Sequence, residues 1–262
     1  MLLVLNRLSN TIGQIISSST WWIVAILTTV LQPFLAYISA QQIASLGLDA
    51  TPDLYPELAQ AIPPVDYLGF DATFLGLVPM VVLGAILGAN DYQNHRLRSL
   101  FLTQSNRSQV FMVKTIALIV TSLGLSFVSI YLTILTTHVG LGSLGLNLIR
   151  LSPIAWQYIG YAGFYWLMLT VLSFGLAMLS KNVILPLFVL IPQIYNLGAF
   201  LAERWDWATY LPVAAGNGLL AKPTDLIPQT ISEGVIVLIA WPFLMMIIAY
   251  VRFIKRDVGG TY

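Results

Sequence analysis

The sequence predicts an all-α polytopic membrane protein with six transmembrane helices, an interfacial helix ahead of the first, and a short amphipathic helix between the second and third. Three observations predict it. The 262 residues are 58% hydrophobic and only 9% charged, with a mean hydropathy of +0.83, which leaves too little polar surface to cover a water-soluble globule. Six runs have the roughly 20 apolar residues a helix needs to cross a hydrocarbon core about 30 Å thick. The segments between those runs alternate in the sign of their charge.

Residues 1–19 place Leu2, Leu5, Leu8, Ile12, Ile15 and Ile16 at helical spacing with polar residues opposite, so an elbow helix lying in the membrane interface is expected. The spans follow at 20–40, 70–89, 115–137, 156–179, 183–201 and 234–253. Only Ser180, Lys181 and Asn182 separate the fourth from the fifth. A cleaved signal peptide is not expected, because the first apolar run is as long as a span and lacks a small-x-small site. No soluble domain or internal repeat is visible, so 1–262 reads as a single transmembrane domain.

Six spans put both termini on one side. That side, with residues 90–114 and the 180–182 turn, holds nine Lys and Arg residues, whereas the opposite side holds only Arg150, Arg204 and Lys222. Nine of the 11 acids lie on or near the Arg150 side. The bias places both termini in the cytoplasm. Residues 202–233 are then extracellular, and their mixture of Trp, Tyr, Pro and Gly predicts a partly re-entrant turn.

Composition also excludes chemistry. There is no cysteine, so disulfides, thiolate catalysis and Cys-type metal centres are ruled out. No phosphate-cradling G-x-x-x-x-G-K-[ST] loop is present, and no span carries an acid or base in its middle. His95 and His138 fall at opposite membrane faces, too far apart to share a metal. Gly140 to Gly145 fits G-x-G-x-x-G, but the pattern has no strand–helix context and is read as chance. No catalytic, cofactor-binding or metal-binding residue is assigned, and no nucleic acid partner is expected. An unpowered membrane component is the reading, one that takes its energy from another subunit if it moves anything uphill. The polar or helix-breaking residues within spans are Gln32 and Pro33 in the first, and Pro186, Pro192, Gln193 and Asn196 in the fifth. Gln32, Pro33, Gln193 and Asn196 are the pathway candidates, weighed against a purely structural role. Gly84 and Gly88 form a G-x-x-x-G, a signature of close helix packing. Trp241 and Pro242 mark a kink in the sixth span.

The stretch NDYQNHRLRSLFLTQSNRSQVFMVK, residues 90–114, is the longest polar segment in this apolar chain. Leu97, Leu100 and Phe101 share a helical face while Arg96 and Ser99 fall elsewhere, giving a short amphipathic helix. Asn106, three residues before Gln109, has the pattern of a capping box opening the helix that becomes the third span. By periodicity the segment serves equally as an anchor to anionic lipid, on the order of 1 kcal/mol per basic residue, or as a dock for another protein.

The same residues resemble the signature of ABC-2-type permeases, the membrane subunits of a class of ATP-binding-cassette transporters. Asp91 with Tyr92, the helix from Leu97 to Leu102, Asn106 with Arg107, and Lys114 match that signature in order and spacing. The segment departs from it in lacking glutamate before the aromatic, glycine and threonine at His95 and Arg96, and proline ahead of Arg107. The resemblance implies that residues 94–102 form a coupling helix docked in a cleft of a separate ABC ATP-binding subunit. Asn94, His95, Arg96, Leu97, Arg98, Leu100, Phe101 and Arg107 would make the dock, with Lys114 flanking it at the membrane surface. It further implies ATP and Mg2+ bound in the partner and no cofactor in this chain. A second permease subunit, like or unlike, completes the pathway, and the hairpin of spans two and three tilts as the ATPases close. A bacterial plasma membrane and export of a hydrophobic or amphipathic compound are the resulting expectations. The competing readings are a scaffold or sensor with a lipid-binding loop, and an enzyme acting on lipids.

Overall fold

The computed structural model describes residues 2–56, 58, 60–92, 106–147, 150–222 and 230–255. Among them there is no strand, and six helical stretches are long and apolar enough to cross a membrane. The N-terminal helix α1, Leu2–Ile16, lies ahead of the first of these.

Span one is two helices welded by a wide turn: α2, Ser19–Ile26, a π-helical turn Leu27–Leu31, and α3, Gln32–Leu46. Ser18 starts it, its side chain accepting from the Trp21 amide. Pro33 explains the weld, because it lacks an N–H and its ring opposes the carbonyl one turn back, so the preceding turn opens. The Thr28 and Thr29 hydroxyls bond back to the carbonyls of Val24 and Ala25 at 2.9 and 2.7 Å just before that turn.

Span two is α4, Phe74–Ala89, entered through short 3-10 turns. Span three, α5, runs Arg107–Leu141 without interruption, 35 residues and about 50 Å at 1.5 Å per residue. Span four, α6, spans Pro153–Ser180, with Ser152 capping Ala155 and proline in the first turn. It stops at Lys181, whose φ of 59° is left-handed, and the Asn182 side chain then accepts from the Ile184 amide to start span five. The three residues that separated these spans in the sequence are thus a complete turn.

Span five is broken. Helix α7, Ile184–Pro192, gives way to a five-residue turn, Gln193–Leu197, in which Tyr195 (φ −88°, ψ 61°) and Asn196 (φ 65°, ψ −9°) leave helical geometry before α8, Gly198–Ala202. A short helix α9, Pro212–Leu219, precedes span six, α10, Ile231–Lys255. Pro242 lies within α10, which continues through it as one helix.

Helix α6 is the hub. Ile159, Tyr165, Trp166 and Leu169 are fully buried, and α4, α5, α7, α9 and α10 all pack on it. In lipid there is no hydrophobic gain in bringing helices together, so small residues and interhelical hydrogen bonds must do it. Gly84 and Gly88 meet that need: a Cβ at either would overlap the carbonyl of Thr170 or Phe174 on α6. At the same crossing the Ser173 hydroxyl donates to the Val81 carbonyl at 2.6 Å. Spans one, five and six form the rim and present apolar side chains outward, including Ile23, Val30, Ile184, Phe188, Ile236 and Phe243. Gly140 to Gly145 sit at the carboxyl end of α5 and in the 3-10 turn beyond it, with no preceding strand.

Candidate functional site

Polar side chains of this apolar bundle gather in three places. The first is a collar where α1, the start of α5 and the last described turns of α10 meet. Asn106 caps α5 as its spacing predicts, Oδ1 accepting from the Gln109 amide at 3.2 Å. The reciprocal half of a capping box is replaced, because Gln109 Oε1 accepts instead from Arg7 Nη1 of α1 at 3.2 Å. Arg107 Nη1 donates to the Ile254 carbonyl in the last described turn of α10 at 3.0 Å. The Ser108 and Tyr250 hydroxyls are 3.0 Å apart, and the Phe111 ring lies 5.2 Å from that of Tyr250 and 5.8 Å from that of Phe253. Tyr250, Phe253 and Ile254 are at i, i+3 and i+4, one face of α10.

Of the dock residues, Arg107 is therefore placed beside the end of span six. Asn94, His95, Arg96, Leu97, Arg98, Leu100 and Phe101 lie outside the described residues. The collar partners Arg7, Tyr250 and Ile254 were not expected. Nothing in a single sequence links positions 102 or 147 residues apart, although Arg7 on the polar face of an amphipathic helix is a signal that could have raised its candidacy.

The second place is a buried seam between spans one and three. Ser129 Oγ donates to Thr28 Oγ1 at 3.0 Å, Gln32 Nε2 to Thr133 Oγ1 at 2.8 Å, and Thr136 Oγ1 to the Pro33 carbonyl at 3.0 Å. The rungs are about one helical turn apart on span three, whereas on span one the last two fall on the adjacent residues Gln32 and Pro33. Gln32 is 1% exposed, and its Oε1 has no protein partner among the described residues. That oxygen and the Trp166 ring close over the bare Cα of Gly76 on α4. Gln32 and Pro33 thus sit inside the bundle. Gln193 is also buried, Nε2 donating to the Val189 carbonyl at 2.8 Å one turn back, while Asn196 is exposed at the break in span five. The two pairs are not brought together into one pocket by any contact among these residues. Thr28, Ser129 and Thr133 escaped the sequence reading, though a Thr/Ser ladder at i, i+4 in an otherwise apolar span was its visible trace.

At the far end the chain doubles back. The Tyr210 carbonyl accepts from Trp241 Nε1 at 2.8 Å, ten residues and about 15 Å into α10. From there α9 returns outward, with Gly216 flat against the Tyr165 ring. The Tyr165 hydroxyl is 3.2 Å from the Val213 carbonyl and 3.0 Å from Asn217 Oδ1. Beyond α9 the Tyr158 hydroxyl donates to the Ala221 carbonyl at 2.6 Å, and Lys222 pairs with Asp71 at 2.7 Å. His138, buried, accepts the Leu146 amide on Nδ1 at 3.3 Å and so pins the turn that follows span three. Among the described residues no three His, Asp or Glu side chains converge as a metal site would require.

A bundle with six helical stretches long and apolar enough to cross a membrane defines a multi-pass helical membrane protein. A family model described as ABC-2 family transporter protein matches residues 17–197, more than half of the 262 residues and from the start of span one into the break of span five. The chain belongs to that family, as its 90–114 segment led one to expect. No curated protein matches the chain.

Proposed function

We propose that this chain is the permease subunit of an ATP-driven exporter, and the family match over residues 17–197 is the observation that carries the proposal. Residues 94–102 are the coupling helix, seated in a cleft of a separate ATP-binding subunit in which ATP and Mg2+ are held. Both termini and this segment face the cytoplasm, in keeping with the Lys and Arg bias. Two permease subunits enclose the pathway, and closure of two ATPases drives its change of access. Residues 202–233 are the extracellular re-entrant element, a reading supported by the descent to Trp241 and the return along α9. No ionisable residue stands mid-span, so a hydrophobic or amphipathic cargo fits better than a small ion.

The test replaces Leu97, Leu100 and Phe101 together with aspartate and asks whether an ATP-binding protein still copurifies. Loss of association, with the permease still folded and inserted, is the expected outcome. Association at the wild-type level would remove the dock from residues 94–102.

A further inference from the structure

Four consecutive residues at the base of α5 each spend a side chain on a fixed hydrogen bond. Asn106 closes the helix start, Arg107 reaches the end of α10, Ser108 reaches Tyr250 of α10, and Gln109 receives Arg7 of α1. Phe111, one turn on, is wedged between Tyr250 and Phe253. Three helices from the start, middle and end of the sequence are therefore fastened at one level, immediately after the segment proposed to receive the ATPase.

We infer that Arg107 is a positioning residue that clasps α5 to α10 and, with the Arg7–Gln109 bond that ties in α1, makes one rigid body, so that a push on residues 94–102 moves spans three and six and the N-terminal helix together. The chemistry suits the task. A guanidinium is planar, always charged and rich in donors, so it can hold a backbone carbonyl of a neighbouring helix. Helix α5 is unbroken for 35 residues, so what is fixed at its base is fixed along its length. A hairpin of spans two and three moving alone would have to tear Arg107 from Ile254 and separate the Phe111, Tyr250 and Phe253 rings. The inference rests on the proposed ATP-driven function for its direction of push, but not for the existence of the clasp.

The chain has no cysteine, so spin labels can be placed without removing native residues. Met112 on α5, Val251 on α10 and Ile184 on α7 are 53%, 42% and 67% exposed and accept labels. In the transporter assembled with its ATP-binding subunit, the distance between labels at 112 and 251 should be the same without nucleotide and with ATP trapped. The distance between 112 and 184 should change. Arg107→Gln should broaden the 112–251 distribution about twofold and shrink the 112–184 change; Arg107→Lys should recover most of the width. If Arg107→Gln does not fold, Ser108→Ala with Tyr250→Phe should broaden the same distribution to a lesser extent. The isolated permease serves as the arm that needs no nucleotide: there too Arg107→Gln should broaden 112–251, whatever becomes of the ATP-driven reading. A 112–251 distance that changes with ATP as much as 112–184 overturns the clasp. So does an unbroadened distribution in Arg107→Gln, and loss of copurification with an unbroadened distribution makes Arg107 a docking contact instead.

Discussion

At the scale of single residues, Gln32 carries opposing terms on one carboxamide. Its Nε2 bond to Thr133 is an interhelical hydrogen bond in a membrane bundle, for which about 0.6 kcal/mol is typical and about 1.7 is high. Its Oε1 is buried without a protein partner, which costs on the order of 1–3 kcal/mol. The cost is at least as large as the gain, so Gln32→Leu should leave stability in detergent unchanged or raise it by up to about 2 kcal/mol, as read by thermal unfolding. A transport defect in that variant without a melting shift would mark the carboxamide as functional, and a large loss of melting temperature would show that the seam depends on it structurally. Asn196 offers the opposite case, since its φ of 65° is one that asparagine tolerates and β-branched residues do not. Asn196→Ile should destabilise by about 1–2 kcal/mol while Asn196→Gly stays close to wild type, as read by the same melting assay. The sequence marked both residues as polar within spans. It could not say that one is sealed inside the bundle and the other exposed, because polarity names a side chain and not its neighbours.

Among elements, the crossing of α4 and α6 is governed by glycine. Gly84 and Gly88 admit the backbone of α6 to a distance at which any Cβ would strike a carbonyl, and a backbone cannot step aside as a flexible side chain would. Gly84→Leu should cost at least the upper end of the ~1–3 kcal/mol typical of overpacking, seen as lost monodisperse protein and a lower melting temperature. Gly124 of α5 has nothing within 4 Å of a Cβ, so Gly124→Ala should instead raise stability by up to about 1 kcal/mol through the backbone entropy of the unfolded chain. The G-x-x-x-G was legible because its spacing is local. The helix lengths were less so: the third apolar run, 115–137, is the greasy part of a helix that starts at its Asn106 cap and ends at Leu141. Apolarity tells where lipid is, whereas caps tell where a helix stops. The fifth span read as one run from 183 to 201 in which Pro186, Pro192, Gln193 and Asn196 stood out as polar or helix-breaking, but composition could not say that the helix parts at Tyr195 and Asn196.

For the whole molecule, sidedness is the property on which the functional reading turns, and the absence of cysteine makes it simple to measure. Leu54, 71% exposed in the segment between spans one and two, and Asn182, exposed in the turn between spans four and five, belong to opposite ends of the bundle. In intact cells a membrane-impermeant maleimide should label Leu54→Cys and should reach Asn182→Cys only after permeabilisation; the reverse pattern would put the collar outside and end the ATPase reading. The sequence by itself determined six spans, their approximate centres, the charge asymmetry and the polar segment at 90–114. It could do so because a bilayer requires every backbone group to be satisfied within its own helix, a constraint that each stretch of about 20 residues records locally. Only the tertiary structure decided that α6 is the hub, that Gln32 meets Thr133 and that Arg107 meets Ile254, partners 101 and 147 residues apart. In a soluble helix the apolar face points to its neighbours, but here lipid and neighbour are equally apolar, so hydrophobicity marks the helix and not the side on which it packs.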